Sequence, residues 1–111
     1  MSLIAEDVAL ELVRNVRAVV RTIERADRDL GRQIRRAASS VALNASEGKR
    51  RVGNDRVHLF RIAAGSADEV RTALRCAEAW GYVEASEIEI PLALIDRELR
   101  LLYGLTNRRR R

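Results

Sequence analysis

Apolar residues recur along this chain at intervals of three and four, and four stretches carry that rhythm. In the first, Val8, Leu12, Val16, Val19, Val20, Ile23 and Ala26 share one side of a helix, because each residue turns about 100° round the axis. The spacing predicts a helix over residues 6–26. Leu30, Ile34, Ala37, Ala38, Val41 and Ala45 form a second, narrower stripe that ends near Gly48. Its small side chains let a neighbour approach closely, so this helix is expected at the centre of the packing. Leu43 falls on the opposite, polar side beside Arg36 and Glu47, which makes it a candidate subunit contact.

The third stretch is broader. Phe60, Ala63, Ala67, Val70, Leu74 and Ala77 define one face, and Leu59, Ile62, Ala73, Cys76, Trp80 and Val83 a second. Such a helix touches more than one neighbour, within the chain or across a subunit boundary, and Trp80 joins Leu43 as a possible oligomer contact. Ile88, Leu92, Ile95, Leu99 and Leu102 form the fourth stripe. Between them, residues 27–31 read as a connection with Asp29 as helix cap, and residues 49–54 as a loop with Asn54 or Asp55 capping the third helix. Gly81 marks that helix's end, Ser86 and Glu89 match a capping box, and Pro91 sits in a first turn where its missing amide hydrogen costs little. The pattern predicts an all-α, antiparallel up-and-down four-helix bundle over residues 1–107, followed by a basic tail at 108–111.

Composition narrows the chemistry. An apolar fraction of 47% in 111 residues fills one core, and Cys76 as sole cysteine excludes an intrachain disulfide and falls short of a structural zinc set. A cytoplasmic location is expected. Glu6, Asp7 and Glu11 interrupt the first apolar stretch, so neither a signal peptide nor a membrane span is expected there. Cys76 lies on an apolar face and reads as an inert core thiol. His58, the sole histidine, has at most Asp55 as a partner in helix register and reads as a surface residue. Asp68 and Glu69 are adjacent and therefore diverge on a helix, and no phosphate-binding glycine loop, H-E-x-x-H or nucleophile elbow occurs. A protein without catalytic residues, metal or cofactor is predicted.

Charge adds the most informative feature. Of the 21 basic residues all but Lys49 are arginine, and the net charge is +5. A GC-rich coding sequence produces the same bias, but a planar guanidinium also suits phosphate and carboxylate. Arg14, Arg17, Arg21, Arg25 and Arg28 recur at three or four residues, nearly opposite the first apolar stripe; Lys49, Arg50 and Arg51 crowd one loop; Arg108, Arg109, Arg110 and Arg111 close the chain. These are the candidate nucleic-acid-binding residues. Gln33, Arg36, Ser40, Asn44 and Glu47 follow one flank of the second helix and, with Ser66 and Glu69, are assigned to a structural polar network.

The residues Gln33-Ile34-Arg35-Arg36-Ala37-Ala38, Ser40-Val41, Asn44 and Glu47-Gly48, followed by Phe60, Ala63, Gly65-Ser66-Ala67, Glu69 and Gly81-Tyr82, resemble the signature of the four-helix bundle, or 23S ribosomal RNA intervening-sequence, protein family. That family is similar to the accessory variability determinant of diversity-generating retroelements. The resemblance implies a ring-like homopentamer and, for the retroelement branch, a basic surface engaging nucleic acid and a reverse transcriptase-like partner. The arginine series in helix one, the Asp-rich first connection and the four-arginine tail depart from the family pattern. Two functions follow as expectations: nonenzymatic binding of RNA or DNA by the assembled oligomer, or a scaffold whose arginines pair with Glu24, Asp27, Asp29, Glu84 and Glu87 across interfaces.

Overall fold

A computed structural model of the chain describes residues 3–107, so the tail at Arg108–Arg111 lies outside the described residues. Four α-helices carry the fold: α1 Ile4–Ala26, α2 Arg28–Lys49, α3 Gly53–Ala79 and α4 Glu89–Asn107, with a 3-10 turn at Ala85–Ile88 before α4. No strand occurs among the described residues. α1 packs on α2 and α4, and α3 packs on the same two, so the four helices surround one core in a body of 45 × 21 × 20 Å.

The four apolar stripes meet inside. Leu12, Val20, Ile23, Ile34, Val41, Phe60, Val70, Leu74, Ile95 and Leu102 are buried together, with alanines of α2 and α3 filling the space between. Close packing here depends on glycine. A Cβ built on Gly31 falls 2.2 Å from Cγ of Glu24, and one on Gly48 falls 2.7 Å from the Phe60 ring, so α1 and α3 both press directly against the α2 backbone. Both glycines lie inside α2, where helix propensity alone disfavours them by about 1 kcal/mol each relative to alanine. Tertiary packing outweighs that cost.

The connections differ in detail from the sequence expectation. The α1–α2 connection is Asp27 alone, in extended backbone, and its carboxylate accepts from the Leu30 amide at 3.0 Å. Asp27, not Asp29, is therefore the cap, and Arg28 opens α2 instead of extending α1. The Asn54 or Asp55 cap of α3 is also displaced: Val52 precedes the helix without a side-chain cap, and Gly53, at φ +61°, turns the chain into it. At the start of the 3-10 turn the Glu84 amide donates to the Glu87 carboxylate at 2.8 Å, two residues ahead of the expected Ser86–Glu89 box.

The end of α3 is built as expected around Gly81, whose φ of +82° is open to glycine at little cost. The Tyr82 amide donates to the Ala77 carbonyl and the Gly81 amide to that of Glu78, both at 2.9 Å, the hydrogen-bond pair of a Schellman closure. Cys76 is exposed, not buried in the core. Of the second apolar face of α3, Ile62, Cys76 and Trp80 are exposed while Ala73 and Val83 are covered.

Candidate nucleic-acid interface

Two groups of basic residues stand at the two ends of α2, roughly 30 Å apart along a helix of this length. At the α1–α2 corner, Arg21 and Arg25 rise from the last turns of α1, and Arg28 and Arg32 from the first turns of α2. With Glu24 they line an open notch of about 650 Å³. Arg21, Arg25, Arg28 and Arg32 are exposed and have no ion-pair partner among the described residues.

The acidic group in the notch is already engaged. Glu24 accepts two hydrogen bonds from the Arg35 fork, Nε to Oε2 at 2.7 Å and Nη2 to Oε1 at 3.0 Å. The hydrogen bond from Arg35 holds the Glu24 carboxyl below its ordinary value, with the charges of Arg35, Arg32 and Arg21 acting in the same direction against partial desolvation. Glu24 is thus bonded to Arg35 and balances one of the five guanidinium charges at this corner. The four remaining guanidinium groups face solvent beside the N-terminal end of α2, whose partial positive charge adds to theirs.

At the other end of α2 the cations are paired. Lys49 donates to Glu6 at 2.7 Å, joining the end of α2 to the start of α1. Glu47 takes both Arg50, at 3.1 Å, and Arg51, at 2.6 Å, and its carboxyl is lowered chiefly by the Arg51 hydrogen bond and then by that of Arg50. Arg56 donates to the Lys49 carbonyl at 3.3 Å and lies 5.1 Å over the Phe60 ring. On α1, Arg14 pairs with Glu11, whereas Arg17 is exposed and has no such partner among the described residues.

The residues assigned to a polar network fall into separate pieces. The Ser40 and Ser66 hydroxyls meet at 2.8 Å across α2 and α3, and the Asn44 amide donates to the Ser40 carbonyl and hydroxyl at 2.9 and 3.0 Å. Gln33 reaches Glu69 at 3.4 Å on the exposed part of the same seam. Arg36 lines a concavity with Asp29, Arg32, Gln33 and Glu69, while Glu47 is turned to Arg50 and Arg51. Leu43 is 69% exposed and borders an open groove with Arg35, Arg36, Ser39, Ser40 and Asn44.

Sequence reading missed two residues. Arg32 is one: a connection over residues 27–31 separates Arg28 from Arg32 and Arg36, whereas α2 carries all three at four-residue spacing. Glu98 stands at stripe spacing, three residues after Ile95 and four before Leu102, where an acid carries no apolar signal. Its side chain is 0% exposed and neither carboxylate oxygen has a hydrogen-bond partner among the described residues. Burial pushes its carboxyl up to about 8, with the Arg97 charge only partly opposing. His58 is exposed, as expected.

Among the described residues no group of three or more His, Cys, Asp or Glu could hold a metal ion, and no helix is long and apolar enough to cross a membrane. No curated protein matches the chain. A solved structure from Bacteroides thetaiotaomicron, described as a protein of unknown function from the S23 ribosomal protein family, is similar with a TM-score of 0.81 at 18% identity, covering 92% of this chain and 97% of that one. At that identity the likeness establishes the shared helical fold. The sequence itself matches the description "23S rRNA-intervening sequence protein" over residues 1–104, and the chain belongs to that family.

Proposed function

We propose that this protein binds RNA through the α1–α2 corner, without a chemical step, as a ring-like homopentamer of antiparallel up-and-down bundles in the cytoplasm. The observation that carries the reading is the notch itself: Arg21, Arg25, Arg28 and Arg32 converge there while the only carboxylate lining it is held by Arg35. Four guanidinium groups on two rigid helices suit successive phosphates, whose contacts position a nucleic acid without reading its bases. The family name's reference to ribosomal RNA supports RNA as the partner.

The assembly follows from affinity. One notch offers few phosphate contacts, and repetition round a ring raises the effective concentration of each further contact. The open Leu43 groove supplies an apolar element for such an interface. The antiparallel arrangement is supported by the pairs Glu6–Lys49 and Glu24–Arg35 between α1 and α2, and Gln33–Glu69 and Ser40–Ser66 between α2 and α3. The acids that a scaffold needs at its interfaces are spent in part within the chain: Glu24 on Arg35, Asp27 on the α2 cap, Glu87 on the Glu84 amide.

A fluorescence titration of labelled RNA with the full chain, repeated across salt concentrations, tests the reading. Binding at low salt that weakens steeply as salt rises is the expected result. An RNA that stays free at low salt overturns it.

A further inference from the structure

Trp80 is 72% exposed, the most exposed aromatic side chain of the described residues. A large apolar ring left in water is unfavourable, and this one is held in place by three linked features. The Schellman closure at Gly81 fixes the chain where Trp80 leaves α3. The Tyr82 ring lies beside the indole, nearly parallel at 15°, with centroids 6.3 Å apart. The Tyr82 hydroxyl in turn donates to Oδ2 of Asp27 at 3.4 Å.

Asp27 is the single residue between α1 and α2, next in sequence to Arg28 of the notch. One hydrogen bond and one ring pair therefore connect the arginine cluster to an exposed indole. Glu84 and Glu87 are exposed on the connection to α4, and Glu89 at its first residue. The notch attracts a polyanion by its charge, and Tyr82 and Asp27 tie Trp80 to the residue that precedes Arg28.

We propose that Trp80 is a stacking platform for an unpaired RNA base, so that the notch and the indole together take single-stranded RNA in preference to duplex. The proposal rests on the RNA-binding reading and adds the class of RNA. In an A-form duplex the base faces are covered by their neighbours and only phosphates and groove edges meet the protein, whereas an unpaired base offers its face to an aromatic ring. The arginines hold the strand by its phosphates, and the indole contributes only when a base is free to stack. Trp80, named above as a possible subunit contact, is here given to RNA, which leaves Leu43 for the subunit interface.

Trp80 is the only tryptophan, so its emission reports the site directly. The full chain is titrated with a short single-stranded RNA, with the same strand annealed to its complement, and with single-stranded DNA of that sequence. The expected result is quenching of Trp80 by the single-stranded RNA and binding roughly tenfold tighter than to the duplex. Trp80→Ala loses that preference and keeps the duplex affinity, and Trp80→Phe restores most of it. Binding of both RNA forms with unchanged Trp80 emission overturns the platform while leaving the RNA reading intact. The platform also falls if Trp80→Ala lowers the oligomer mass measured by light scattering, whereas stronger quenching by DNA than by RNA overturns RNA as the strand it takes. Failure of wild-type chain to bind either RNA form overturns the RNA reading itself.

Discussion

Both ends of α2 are rich in basic residues, yet they differ in what surrounds the charge. At the α2–α3 end, Glu6 pairs with Lys49 and Glu47 with both Arg50 and Arg51, so every cation is bonded and two of the three charges are balanced. At the α1–α2 end, Glu24 is drawn to Arg35, and Arg21, Arg25, Arg28 and Arg32 are left facing the same notch. Arginines are more numerous at the α1–α2 end, but number alone does not make Lys49, Arg50 and Arg51 inert. Pairing separates the two ends, because a cation already bonded to a carboxylate has to give up that partner before it gains a phosphate.

The largest expected effect concerns the bundle on which both ends are mounted, and it comes from Glu98. The unfolded carboxyl has a value of 4.5, and the folded one is pushed up to about 8. A raised folded value means that the folded state holds the proton more tightly, so the associated stability is complete below 4.5 and is lost as pH rises through about 8. Urea unfolding followed from about pH 5 to about pH 9 is expected to show a loss on the order of 3–5 kcal/mol. Glu98→Leu removes most of that slope, since an apolar side chain needs neither proton nor partner there. An equal slope in the variant places the pH dependence elsewhere. The two ends are best compared near neutral pH or below, where Glu98 remains largely protonated.

The next effect tests the comparison directly. Replacing Arg21, Arg25, Arg28 and Arg32 together with Gln is expected to lower RNA affinity on the order of a hundredfold at low salt, and to reduce the salt slope by roughly 3. Arg50→Gln with Arg51→Gln is expected to change affinity by less than about threefold, because both guanidinium groups are bonded to Glu47, which balances one of the two charges removed. Equal losses in the two variants erase the distinction between the ends. All six arginines are on the surface, so circular dichroism of both variants is expected to match the wild type.

The helices were legible in the sequence because burial is periodic: every residue of the second stripe from Ile34 to Ala45 is buried, as are Val8, Leu12, Val16, Val19, Val20 and Ile23 of the first. The corner was less legible, for a local reason. Asp27 and Asp29 both have capping chemistry, and their order of preference depends on whether Gly31 ends a loop or sits inside a helix. The close approach of α1 settles that choice, since Gly31 is the place where Glu24 presses on the α2 backbone. Arg28 and Arg32 move onto one helix with the choice. Pairing was not legible either: Glu24 and Arg35 are eleven residues apart and meet only after α1 and α2 have packed.

The smallest effect separates charge from geometry. Glu47→Gln keeps the side-chain length and removes the charge that holds Arg50 and Arg51. If pairing is what silences this end, freeing the two arginines raises RNA affinity two- to threefold and steepens the salt dependence by about one unit of slope. Little change in melting temperature is expected, because the pairs are exposed and screened. Lowering the pH of the wild type does not mimic the substitution at mildly acidic values, because Arg51 and Arg50 keep the Glu47 carboxyl ionised below its ordinary range. The stabilisation of a lowered carboxyl is present above its unfolded value of 4.5 and is lost only as pH falls through the folded one. An affinity unchanged by Glu47→Gln assigns the silence of this end to shape: it lacks a notch in which two helices aim their guanidinium groups at one phosphate path, and charge released there has no strand to meet.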